Sequence, residues 1–209
     1  MTTKVQGDMY DIDGATVATV AAADKINFFD VTDSLVKEDT VQGVLDLVPS
    51  AGWTSGTKQD LTSGTTKDFT GLTGATMVLV TIRDMAIASS SGVPIIQLGD
   101  AGGFETTGYL GGITEVLAGS HSVDQPTAGL PYMAQIGTAS VLHSQILLSL
   151  IDNSTNSWGA SCSYGSSGSN ISAGAGGSSK SLSGALTQIR ITTTSAVTFS
   201  TGTVNIQWM

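Results

Sequence analysis

The clearest alternation of hydrophobic and polar positions lies in residues 141 to 152. Leu142, Ile146, Leu148 and Leu150 share one face there, while His143, Gln145 and Ser149 fall on the other. A period of two with one apolar face predicts a strand laid against a core. Further strands are predicted around residues 66 to 70, 76 to 83, 94 to 98, 106 to 113, 157 to 164, 185 to 192 and 196 to 208. Gly-rich turns separate them, and that spacing predicts an antiparallel β-sandwich or jelly roll. In the last segment Val197 and Phe199 are in one phase and Val204, Ile206 and Trp208 in the opposite one. A bulge or tight bend at Gly202 would reconcile the two. The stretch from Tyr164 to Ser183 is so rich in Gly and Ser that it predicts a long exposed loop between strands.

Ahead of these strands the pattern changes. Ile26, Phe28 and Val31 form a short strand-like run ending at Asp33-Ser34. Asp39-Thr40 then has the chemistry to cap a brief helix carrying Val41, Val44, Leu45 and Val48, and Pro49 ends it. The reading is therefore a small strand-plus-short-helix module over residues 1–48 and a mainly β head over 49–209. A module of that size cannot readily bury its own apolar side chains. Ile26, Phe28, Val31, Val44 and Leu45 are thus its candidate anchor core, completed by sister chains in an obligate oligomer.

Charge sharpens this division. Of 209 residues, 8 are Lys or Arg and 17 Asp or Glu, a net charge of −9. Residues 1–48 hold nine acids against three Lys, and 49–209 hold eight against five Lys or Arg, so the two parts carry −6 and −3. The scattered basic residues form no stripe, which argues against nucleic acid as a partner. The single Cys162 permits no intrachain disulfide and reads as a small buried hydrophobe. The acidic N-terminus lacks the features of a secretory signal, and no apolar run is long enough for a membrane helix. The sequons at Asn153 and Asn170 accordingly read as turn chemistry.

Candidate chemistry is sparse. Gly99-Asp100-Ala101-Gly102-Gly103 differs by one residue from the GDSGG of trypsin-like proteases, but alanine stands where the nucleophile would be. His121 and His143 both follow it, the reverse of the order in that family. Asp100, Glu105, Glu115 and Asp124 have oxygen ligands but no metal-site spacing, and Asp8, Asp11 and Asp13 fail the calcium-loop pattern. No catalytic residue, metal or cofactor is assigned. Trp53, Trp158 and Tyr164 could stack on sugar rings or pack in a core; Trp158 and Tyr164 are carried forward as candidate receptor contacts.

Two further runs carry a resemblance. Asp68-Phe69-Thr70-Gly71, then Ile95-Ile96-Gln97-Leu98-Gly99-Asp100-Ala101-Gly102-Gly103-Phe104-Glu105-Thr106-Thr107-Gly108-Tyr109, resemble the head domain of bacteriophage tail fibre proteins. The likeness extends through residues 152 to 158, the run from Gly176 to Leu186, and Phe199, Gly202, Asn205 and Ile206. It implies a homotrimeric, receptor-binding virion protein with a jelly-roll head. The N-terminus would dock to a tail, nozzle or capsid protein, and loops would meet a host surface glycan or protein. The short segment before the head departs from long-shafted fibres and leaves a capsid head fibre or decoration protein as the alternative. A polysaccharide depolymerase and a C1q-like or adhesin-type trimeric head are the other classes weighed.

Overall fold

The computed structural model describes residues 25–30, 35–40, 52–89, 92–117, 119–134, 138–168 and 171–209. The chain divides into two units, Met1–Ala51 and Gly52–Met209. In the first, strands β1 (Lys25–Asp30) and β2 (Leu35–Thr40) pair antiparallel, with Ile26 opposite Asp39 and Phe28 opposite Lys37. Asp39 and Thr40, expected to start a helix, lie instead in β2. Cross-strand pairing occupies the backbone along the whole segment, whereas a cap would serve only the first turn of a helix. Val31, Val44 and Leu45, with the rest of the expected helix, lie outside the described residues.

The second unit is mainly β and antiparallel, with no helix among the described residues. Its larger sheet is built around three long strands, β6 (Met77–Ile87), β12 (Ser140–Asp152) and β13 (Ser157–Gly168). On one flank follow β14 (Ser172–Ser181), β9 (Leu110–Leu117) and β10 (Ser120–Asp124). On the other, β16 (Phe199–Trp208) pairs with β6 and with the short β3 (Thr54–Ser55) and β4 (Gln59–Asp60). The smaller sheet runs β11 (Leu130–Pro131), β7 (Pro94–Asp100), β15 (Gln188–Thr193) and β5 (Lys67–Thr70), with β8 (Gly103–Phe104) folded back on β7.

Both sheets feed one apolar cluster. Val78, Val80, Ile146 and Ile206 enter it from the larger sheet, and Phe69, Ile96, Leu98, Ile189 and Ile191 from the smaller. In β12, Leu142, Ile146 and Leu148 are buried while His143 and Gln145 are exposed, as the alternation requires. β7 is buried along its whole length: Ile96 and Leu98 enter the shared core, and the segment around Ala128 and Gly129 lies against Ile95 and Gln97 on the other face.

The expected loop from Tyr164 to Ser183 is for the most part strand: the end of β13 and all of β14, which sits inside the larger sheet between β13 and β9. Small residues are what that position demands. The Tyr164 ring occupies the space that a Cβ on Gly174 would need, and a Cβ on Gly176 would meet the Gly112 carbonyl at 2.6 Å. Larger neighbours therefore supply the burial, and β14 shows no hydrophobic period of its own.

The phase switch in β16 is a bulge. Register slips between Phe199 and Thr201 and again between Thr201 and Thr203, with Gly202 at φ +107°. A Cβ there would sit 2.7 Å from the Arg83 carbonyl oxygen and from Asp84 of β6, so only glycine fits.

Candidate functional site

The two runs that carry the resemblance meet. Asp100 ends β7, and its side chain accepts from the Gly102 amide at 2.7 Å and from the Ser183 hydroxyl at 2.5 Å. Glu105 accepts from the Ser183 amide at 2.7 Å and pairs with the Lys180 ammonium at 2.5 Å. The Tyr109 hydroxyl donates to the Glu105 carbonyl and accepts from the Leu98 amide, and its ring lies 5.4 Å from Lys180 Nζ. Gln188 closes the group by donating to the Asp100 carbonyl.

These contacts set the charge states. The Ser183 hydroxyl, then the Gly102 amide, hold Asp100 below the ordinary aspartate range. Burial alone would raise Glu105, but the bonds from Lys180 and Ser183 outweigh it and bring it below its usual value. The near-GDSGG motif is thus a turn locked by its own carboxylate and stapled to the segment after β14. Beside it, Arg190 holds Asp68 through two 2.7 Å bonds, and its guanidinium lies 4.0 Å over Phe104.

The other polar constellation lies on the outer face of the larger sheet. Asp84 in β6 has φ +54° and stands beside Gly202. On its other side the register between β6 and β12 slips between Leu142 and Ser144. Bulges on adjacent strands bend the sheet here. The bend presents Arg83, whose Nε donates to Asp84 at 3.0 Å, and His143, whose Nε2 lies 3.5 Å from Asp84 Oδ1. A groove of about 740 Å³ runs over β4, β16 and β6, lined by Lys58, Asp60, Thr81, Arg83, Thr203 and Asn205. A second hollow of about 430 Å³ shares Thr81 and Arg83 and continues over β12 and β13 past Gln145 and Ser163. The carboxamide oxygen of Asn205 is shielded from solvent and has no hydrogen-bond partner among the described residues.

Of the candidate receptor contacts, Trp158 lies away from this surface and Tyr164 only borders the second hollow. Trp158 is 1% and Tyr164 6% exposed, and both are part of the apolar core. Each points inward because its strand neighbours on that face, Leu150 for Trp158 and Ser144 for Tyr164, are core-facing positions of β12. Their rings therefore present almost no surface to solvent. Trp53 is 41% exposed. Ile26 and Phe28 lie in β1. Cys162 lies half-buried in β13 with its thiol toward the Pro131 carbonyl, and burial pushes that thiol up to about 11. Asp152 accepts from the Ser154 amide and hydroxyl and from Thr155, so the first sequon is turn chemistry as read. Among the described residues no three His, Cys, Asp or Glu side chains gather as metal ligands.

Sequence reading gave no site role to Arg83, Asp84 or Thr203, and named Asn205 only as part of the resemblance. The signal near them was the phase switch at Gly202, which marks a register shift where β16 meets Arg83 of β6. No family model matches this chain, and no curated protein or solved structure was found to be similar to it.

Proposed function

We propose that this chain is a non-enzymatic structural protein of a virion, a homotrimeric short tail fibre or spike subunit. In this reading it docks to a tail, nozzle or capsid protein by its N-terminal unit and recognises the host cell surface with a β-sandwich head of jelly-roll type. The observation that carries the reading is the closure of the two resembling runs, residues 95 to 109 and 176 to 186, into one polar clamp. Runs that specify a common scaffold are expected to hold one another in this way, with their carboxylates engaged by the fold. The open polar groove then supplies a surface for recognition.

A capsid head fibre or decoration protein is the second reading. Leu110, Val116 and Val123 are exposed, and the register places them on the same outer face. Apolar side chains gathered on one face favour packing against another protein. Light scattering on the full-length chain tests the assembly, and labelling of intact particles with an antibody to the chain tests its place. A trimer at the tail supports the fibre reading, and label spread over the capsid selects the second. A monomer that labels no particle overturns both.

A further inference from the structure

We infer that the outer face of the larger sheet, over β12, β13, β14, β9 and β10, is the surface through which copies of this chain pack on one another, a proposal that rests on the homotrimer reading above and names the face the copies share.

Strand register gives the face its relief. Leu79 of β6 stands opposite Leu147 of β12, and with Gln145 they border a hollow of about 370 Å³ that reaches Ser161 and Ser163 of β13. Next to β13 the outward positions of β14 are no larger: Ala173, Ala175 and Gly177 are exposed, and Ala175 pairs with Ser163. On the far side Val116 of β9 and Val123 of β10 rise again, 59% and 57% exposed. Val116 lies opposite Ala173, and Val123 opposite the Thr114 that faces Ala175. The face is thus a trough two strands, about 10 Å, wide between two apolar ridges. A ridge of one copy fits the trough of another, so the face complements itself. Such a contact joins one part of the face to a different part, the heterologous kind that closes into a ring.

Charge and area select a second copy as the occupant. β13 holds no charged residue, Lys180 of β14 and Glu115 of β9 are buried, and β12 has no acid or base before Asp152 at its end. Charges begin only at the rim, with Arg83 and Asp84 of β6. A partner recognised by its charge would find nothing to pair with over the trough. Copies of a chain carrying −9, in contrast, can meet there without setting like charges against each other. Depletion of charge also marks the buried centre of protein interfaces. Five strands about 4.8 Å apart and seven residues of about 3.3 Å give a face of roughly 550 Å² in projection, and side-chain relief adds to it, against about 800 Å² per partner in a standard interface.

The test is light scattering on the purified full-length chain, where the face has no other protein to meet than a second copy. Ser163→Glu and Ala175→Glu place a carboxylate in the trough at exposed positions and are expected to turn trimers into monomers with unchanged near-ultraviolet circular dichroism. Thr70→Glu, exposed on β5 of the smaller sheet, should leave the trimer intact. Maleimide labelling gives a second reading that needs no disruptive charge. Ala175→Cys should react at least tenfold more slowly than Thr70→Cys in the assembled chain, and equal rates would overturn the face. Trimers that persist in both trough variants would also overturn it while the homotrimer reading stands. If the unaltered chain is itself a monomer, the homotrimer reading fails and the shared face with it.

Discussion

Removing Lys180 tests whether the clamp between the two motif runs holds the fold together. Its side chain is 8% exposed and that of Glu105 25%, with a 2.5 Å contact between them. Deleting one partner of a fully buried pair costs about 3–5 kcal/mol. Because a quarter of Glu105 is open to water, the expected loss in Lys180→Met is smaller, about 2 kcal/mol. For a chain of this size that lowers the melting temperature by roughly 4–8 °C. A double-mutant cycle with Glu105→Gln isolates the pair, and a coupling of about 1 kcal/mol or more is expected in urea denaturation. The pH dependence gives an independent reading. Glu105 titrates below its ordinary 4.5 in the folded chain, so the stability it confers is present above that value and is lost as pH falls through the lowered one. The difference between the unaltered chain and Lys180→Met should therefore shrink on acidification. Additive single losses, or a difference that grows toward acid pH, would refute the view that this ion pair joins the two runs.

Gly202→Ala should cost about 2–4 kcal/mol in urea denaturation, since it combines positive φ with a Cβ 2.7 Å from the Arg83 carbonyl oxygen; a loss under about 0.5 kcal/mol would show that the bulge relaxes freely. Gly174→Val should destabilise by a similar amount and alter near-ultraviolet circular dichroism through Tyr164, whereas unchanged spectra and stability would mean that β14 is not held against that ring. Arg190→Lys should lose no more than about 1 kcal/mol by thermal melting despite the two 2.7 Å bonds, because both partners are partly exposed. With a thiol at about 11, Cys162 is roughly one-thousandth ionised at pH 8, and a disulfide reagent should modify it far more slowly in the folded chain than in urea; equal rates would refute its burial.

The alternation in β12 and the opposed phases in β16 were enough to give a mainly β unit, its antiparallel character and the bulge at Gly202. Those features follow from period-two burial, a property that each strand carries locally. The fate of β14 could not be read this way, because its Gly and Ser residues are selected by Tyr164 on the neighbouring strand and by Ile113 and backbone of β9, far away in sequence. The same holds for Trp158 and Tyr164: an aromatic residue reads alike whether it faces a core or a ligand, and only the register with β12 directs both inward. In the first unit, Asp39 and Thr40 had good cap chemistry, but pairing with β1 placed them in a strand. The sequence by itself determined which segments could be strands and where one of them must bend. Only the tertiary structure decided which charges find partners and which polar residues share a groove, since Lys58, Arg83 and Asn205 are brought together by strand pairing between distant parts of the chain.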